Sequence, residues 1–168
     1  EIKSLERLYR RRVLPGFVAG PELTVELARL SHECGCQIGV LIDRSGSVKE
    51  VVAGTAGAIS VPELPRPAKL QGLRFVHTHF KNEPLNQDDL TALSRYKLDL
   101  CAVIGVDAHG QPASLQIAHL KPASEGRLEC VTAEALRWPN LGPDFSYFIE
   151  ELESAFSRRQ RQRKVEQG

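Results

Sequence analysis

The chain has 168 residues, enough for one domain with a substantial core and short appendages. With 42% hydrophobic and 26% charged residues, its composition is that of a globular protein and not of a disordered one. The 22 Lys and Arg balance 21 Asp and Glu, so no global charge argues for a nucleic-acid coat or a membrane-surface protein. Ile2, Leu5, Leu8 and Tyr9 fall at helical spacing, with Arg7, Arg10, Arg11 and Arg12 around them, and the helix is expected to run from Ile2 to Val13. Leu14-Pro15-Gly16 stops it. A second helix is expected after Gly20, with Pro21 at its first position, an apolar face of Leu23, Val25, Leu27, Ala28 and Leu30, and Gly35 as its end.

The period then changes from helical to extended. Ile38 to Ile42 and Val48 to Val52 read as two strands of a hairpin, joined by the turn chemistry of Asp43-Arg44-Ser45-Gly46. Ala58 to Val61 is expected to add a third strand, and the proline-rich stretch from Pro62 to Pro67 a surface connection. Leu73 to His77 reads as a strand. Asn86 caps the helix that follows, with Asp88 and Asp89 in its first turn, where the helix dipole favours negative charge, and Leu90, Leu93 and Tyr96 inside. Leu100 to Val106 is a buried strand, and Asp107-Ala108-His109-Gly110 turns it into a partner from Ser114 to Leu120. A last helix is expected from about Asp144, with Phe148, Ile149, Leu152 and Phe156 as its apolar stripe. The order predicts an α+β fold, a mostly antiparallel sheet flanked by helices. Residues 1–20 read as a basic helix and connection, 21–131 as the α/β domain, and 132–168 as a helix and basic linker.

No apolar run approaches the roughly 20 residues of a bilayer helix. The opening residues lack a signal-peptide pattern, and Cys34, Cys36, Cys101 and Cys130 make no disulfide framework, so a reducing cytoplasm is the expected compartment. The chain opens on Glu1 rather than Met, and a fragment or a processed chain is expected. No G-x-x-x-x-G-K-[ST] occurs: Gly54-Thr55-Ala56-Gly57 lacks the lysine that reaches phosphates, so no nucleotide site is expected here. No G-x-S-x-G elbow supports serine catalysis.

The sharpest local pattern is His77-Thr78-His79. Histidines two residues apart on a strand point the same way, so both imidazoles can reach one metal ion, and a carboxylate from the next helix can supply a third ligand. The competing reading is a pair of strand-end histidines bonded to backbone groups. Cys34 and Cys36, one residue apart, chelate awkwardly, and a buried and an exposed thiol at a helix end is the simpler reading. The arginines of residues 7–12 and the run Arg158 to Lys164 can contact RNA phosphates or form solvated faces.

The histidine pattern resembles the JAMM (MPN-type) metalloprotease motif, H-x-H-x7-S-x2-D with an upstream Glu as general base, and the order of elements resembles that fold. The resemblance implies zinc as the metal, with His77, His79 and Asp89 as its ligands. Asn86 stands for the Ser, the spacing to Asp89 is one residue short, and Phe80 replaces a usual Pro. Glu33 is the candidate base from its local context, while the position leading into the first strand is Gln37, which cannot act as a base.

At greater length the chain is similar to the N-terminal extension of long HflX-type GTPases. The match rests on Leu5 to Val13, Val40 to Gly46, Leu73 to His79, Asp88 to Leu93, Leu98 to Leu100 and Ile104 to Val106, in order over most of residues 5–120. It implies a cytosolic GTP-binding protein engaging the large ribosomal subunit, with the nucleotide-binding part beyond Gly168. This chain is then an accessory module that docks on the ribosome or regulates its attached GTPase, with no membrane partner. A zinc-dependent isopeptidase with a divergent site and an inert spacer are the alternatives.

Overall fold

The computed structural model describes residues 2–14, 17–62, 70–81, 83–122 and 128–137. Within it, the punctuation of the sequence sets the element ends. Pro21 opens α2 (Pro21–Cys34), and Gly35 closes it in a left-handed conformation, φ 67°, that costs glycine little, donating its N–H to the Ser31 carbonyl. Leu23, Leu27, Ala28 and Leu30 are buried. Each fully buried leucine contributes roughly 1.5–3 kcal/mol, so burial outweighs propensity in holding this helix. The N-terminal helix is shorter than expected. It divides into α1 (Ile2–Arg7) and a 3-10 turn (Leu8–Arg10), after which Arg11 is already extended. The reason is tertiary: Val13 is buried and donates its N–H to the Gly46 carbonyl at 2.8 Å, which an α-helix running to Val13 would forbid.

The strands are β1 (Ile38–Ile42), β2 (Val48–Ala53), β3 (Arg74–Phe80), β4 (Leu100–Val106), β5 (Pro112–Pro122) and β6 (Leu128–Arg137). They form one six-stranded sheet in the order β2-β1-β3-β4-β5-β6, antiparallel except between β3 and β4. That parallel pair is joined through α3 (Gln87–Arg95), as a crossover requires. The architecture is the α+β type expected. β6 was not foreseen, and it carries the sheet past residue 131, through Arg137. The expected strand from Ala58 to Val61 is absent. Ile59 lies over Gly39 and packs on the α3-side core, so the segment lies across the sheet face. The proline-rich stretch from residue 63 to 67, the helix from Asp144 and the basic run Arg158 to Lys164 lie outside the described residues.

Two cores sandwich the sheet. On one face, α2 packs with Val13, Val18 and Ala19 on Ile38, Val40, Ile42, Val76, Leu100 and Ile104. On the other, Leu93 of α3 packs with Leu70 and Leu98 on Leu41, Phe75, Cys101 and Ala118. Residues 2–20 thus join the main core. Arg74 fastens them: its buried guanidinium donates to the carbonyls of Phe17 at 2.7 Å, Val18 at 3.2 Å and Asp43 at 3.1 Å. Among the described residues, no helix is long and apolar enough to cross a membrane.

Candidate metal centre

Strand alternation does the first positioning. In β3, Thr78 turns toward α2, where its hydroxyl meets Ser31 Oγ at 2.8 Å and accepts from the Ile38 N–H at 3.0 Å. His77 and His79 therefore both face α3, and both are buried. Phe75, two residues earlier on the same face, stacks on His77 with ring centroids 4.5 Å apart. Room for this stack comes from β1, whose Gly39 pairs with His77. A Cβ at Gly39 would lie 2.7 Å from Phe75 Cε1 and 2.9 Å from His77 Cβ.

The second positioning device is a helix cap. Asn86 Oδ1 accepts the Asp89 N–H at 2.9 Å, and Asp89 Oδ2 accepts the Asn86 N–H at 3.0 Å. This reciprocal capping box pins the Asp89 side chain in the first turn of α3. Its carboxylate then meets both imidazoles, Oδ1 at 2.9 Å from His77 Nε2 and Oδ2 at 3.6 Å from His79 Nε2. The one-residue-shorter spacing noted in the sequence is thus compatible with a converging triad. Asn86, standing where the motif has Ser, acts as the cap.

His79 is held in one tautomer. Its Nδ1 lies 3.1 Å from the carbonyl oxygens of both Glu83 and Pro84, which only accept, so Nδ1 carries the proton and Nε2 presents a lone pair. His77 Nδ1 has Cys101 Sγ 3.9 Å away as a weak partner. No well-formed hydrogen bond reaches either Nε2, although the Asp89 carboxylate lies 2.9 Å from that of His77 and interacts with it. Burial pushes the His77 pKa down, against the opposing pull of Asp89, and keeps the ring neutral. For Asp89 burial pushes upward, but contact with His77, the Asn86 amide and His79 outweighs it and holds the carboxyl below its ordinary value. The Cys101 thiol is raised well above the usual range, first by burial and then by the Asp89 charge, and stays protonated beneath the site.

A neutral imidazole with its Nδ1 tied to carbonyls, a second neutral imidazole and an ionised carboxylate are the donors zinc takes. One atom from each of His77, His79 and Asp89 lies within 4.8 Å of the others, and among the described residues no other such group of three potential ligands occurs. In a tetrahedral site with ligand bonds of about 2.0–2.1 Å, donors sit roughly 3.3 Å apart, so the cluster needs only small adjustments. The residues fit the metal.

Other candidates fall elsewhere. Glu33 is exposed on the last turn of α2 and pairs with Arg29 at 3.0 Å. It belongs to the helix on the opposite face of the sheet and is not among the three residues of the histidine cluster. Cys34 and Cys36 are both half-buried and outside any disulfide, not one buried and one exposed. Arg7, Arg10, Arg11 and Arg12 are all exposed. The first three line a groove with Arg29 and Val25, where Arg11 is engaged by Glu26 and by Glu22 at 3.4 Å. Comparison of the chain with protein-family models, curated proteins and solved structures gives no match.

Proposed function

We propose that this chain is a metal-binding, non-catalytic accessory domain of an HflX-type GTP-binding protein, acting in ribosome docking or in regulation of the attached GTPase. The observation that carries the non-catalytic reading is the composition of the centre. Among the described residues its potential ligands are two histidines and Asp89, with no second carboxylate in that group. Asp89 itself is committed to the imidazoles and the helix cap. Bound zinc would supply a fixed positive charge that satisfies three buried lone-pair groups and ties β3 to α3. The residues do the positioning: Glu83 and Pro84 carbonyls orient His79, Phe75 orients His77, and the Asn86 backbone N–H orients the Asp89 carboxylate.

The docking part is supported by the exposed arginines at the N-terminal end, by the basic run Arg158 to Lys164 in the sequence, and by the resemblance over residues 5–120. It is tested by co-sedimentation of the purified chain with large ribosomal subunits across a salt series. Salt-labile pelleting is expected, weakened when Arg7, Arg10 and Arg12, or Arg158, Arg159, Arg161 and Arg163, are changed to Gln. Pelleting that both charge-removed variants retain would exclude docking through the basic ends. The second reading, a zinc-dependent isopeptidase, is favoured by the converging lone pairs of His79 and Asp89 alone. It requires hydrolysis of an isopeptide-linked substrate by the zinc-loaded chain that disappears in His77→Ala.

A further inference from the structure

Three protein donors leave one position of a four-coordinate metal without an assigned group. The strand pairing points to a fourth. Gly39 pairs with His77, and one step on, the Ile38 N–H bonds the Thr78 hydroxyl at 3.0 Å. The β1–β2 ladder continues through Gln37, whose carbonyl accepts the Gly54 N–H at 2.8 Å and whose N–H bonds the Thr55 carbonyl at 2.9 Å. Alternation then gives Gln37 the face of Gly39, which both histidines share.

Gln37 is 2% exposed. Its Nε2 donates to the Ala56 carbonyl at 3.4 Å, which fixes the amide and directs Oε1 away from that carbonyl. That oxygen is buried without a hydrogen-bond partner, as are Nε2 of His77 and Nε2 of His79. Buried polar atoms are nearly always satisfied by protein, water or an ion. One cation among these three atoms and the Asp89 carboxylate would satisfy them together.

We infer that Gln37 is the fourth member of the metal centre, giving its carboxamide oxygen to an ion held by His77, His79 and Asp89. This rests on the metal-binding reading above and extends it. Four protein donors close the site, which is the arrangement of structural zinc and not of hydrolytic zinc. A carboxamide also cannot take up a proton at neutral pH, so the fourth group contributes binding without base chemistry. The ion expected is zinc, with cobalt(II) as its spectroscopic substitute.

The test is zinc affinity, read by competition with a chromophoric chelator, on the purified chain and three variants, with cobalt(II) absorption as a second readout. The original chain is expected to take up one equivalent. Gln37→Leu keeps the volume and loses the oxygen, and should weaken binding by at least the 10–100-fold typical of supporting groups at metal sites. Gln37→Glu retains an oxygen donor but cannot donate to Ala56, and should bind as tightly as the original or more so. His77→Ala/His79→Ala should abolish uptake. Thermal melts without metal show whether each variant is folded. Affinity unchanged in Gln37→Leu would overturn the assignment while leaving the triad intact. Equal weakening in the Leu and Glu variants would overturn it too, reducing Gln37 to an anchor for the Ala56 loop. Failure of the original chain to take up metal would remove the metal centre, and Gln37 with it.

Discussion

Gly39→Ala is the most informative small change, because one methyl group tests the fold and the site together. The new Cβ would stand 2.9 Å from His77 Cβ, 2.7 Å from Phe75 Cε1 and 3.2 Å from Ile59 Cδ1. The first neighbour sits on the backbone of a paired strand and cannot swing aside without opening the β1–β3 ladder. The second is stacked on His77, so tilting Phe75 moves the imidazole as well. Overpacking of this kind costs about 1–3 kcal/mol. Removing a strand glycine offsets about 0.5–1 kcal/mol of that. Central values leave a net loss of about 1.3 kcal/mol, or roughly 3–5 °C in melting temperature for a chain of this size. Thermal and urea unfolding of the metal-free protein measure it, and zinc titration should show weaker binding in parallel. Gly57→Ala is the control, since its Cβ would meet nothing within 4 Å. A Gly39→Ala protein melting at or above the original, with unchanged zinc affinity, would refute the close-packing argument for how His77 is placed.

Removing metal from the loaded protein should lower its melting temperature. At free zinc of 100 times the dissociation constant the bound ion adds about 2.7 kcal/mol, a shift that calorimetry with and without chelator reads directly. Asn86→Ala should cost about 0.5–2 kcal/mol in urea unfolding through the lost cap on the Asp89 N–H, while the bond from the residue-86 backbone N–H to the Asp89 carboxylate is kept, so zinc affinity should fall much less than stability. Arg74→Leu leaves the carbonyls of Phe17, Val18 and Asp43 without this donor and should destabilise by about 3 kcal/mol or more in the same assay. Acid sensitivity has a further identifiable contributor. Burial pushes the Asp43 pKa up, but bonds from Ser45 and Ser47 and the charge of Lys49 pull it below 3.8. A carboxyl depressed on folding stabilises fully above its unfolded value and loses that contribution as pH falls through the folded one. Asp43→Asn should therefore flatten the fall in stability below the ordinary carboxylate value of 3.8, as followed by unfolding at graded pH.

Local chemistry made much of this fold legible. Pro21 and Gly35 bound α2, Asn86 starts α3, and the apolar runs at Ile38 and Leu100 are strands, because each signal acts within a few residues of its effect. The histidine spacing was legible for the same reason, since alternation is a property of any strand. Features decided at a distance were not. The helix predicted to Val13 gives way to a bond with Gly46, far along the chain. Residues 58–61 have strand composition, but lie across the sheet face. β6 contains Ala, Glu, Leu and Arg, all good helix formers, and takes strand form by pairing with β5. Glu33 looked apt in sequence and lies on the helix of the opposite sheet face. Gln37, set aside in sequence as a residue unable to act as base, gains significance only when alternation puts it on the histidine face and its oxygen is found without a partner.

The N-terminal segment also bears on how the sheet ends. β2 is the outermost strand on its side, and an open strand edge invites pairing with another chain. Here the 3-10 turn lies along β2, Tyr9 accepts the Val51 N–H through its hydroxyl at 3.2 Å, and Arg12 forms a lone bridge to Ser47. Those contacts occupy part of the edge with a residue that cannot propagate a ladder. A chain trimmed to begin at Pro21 would lose both that shield and the buried Val13, leaving a strand end suited to self-association. The first residues therefore act as a guard against aggregation as well as a source of positive charge.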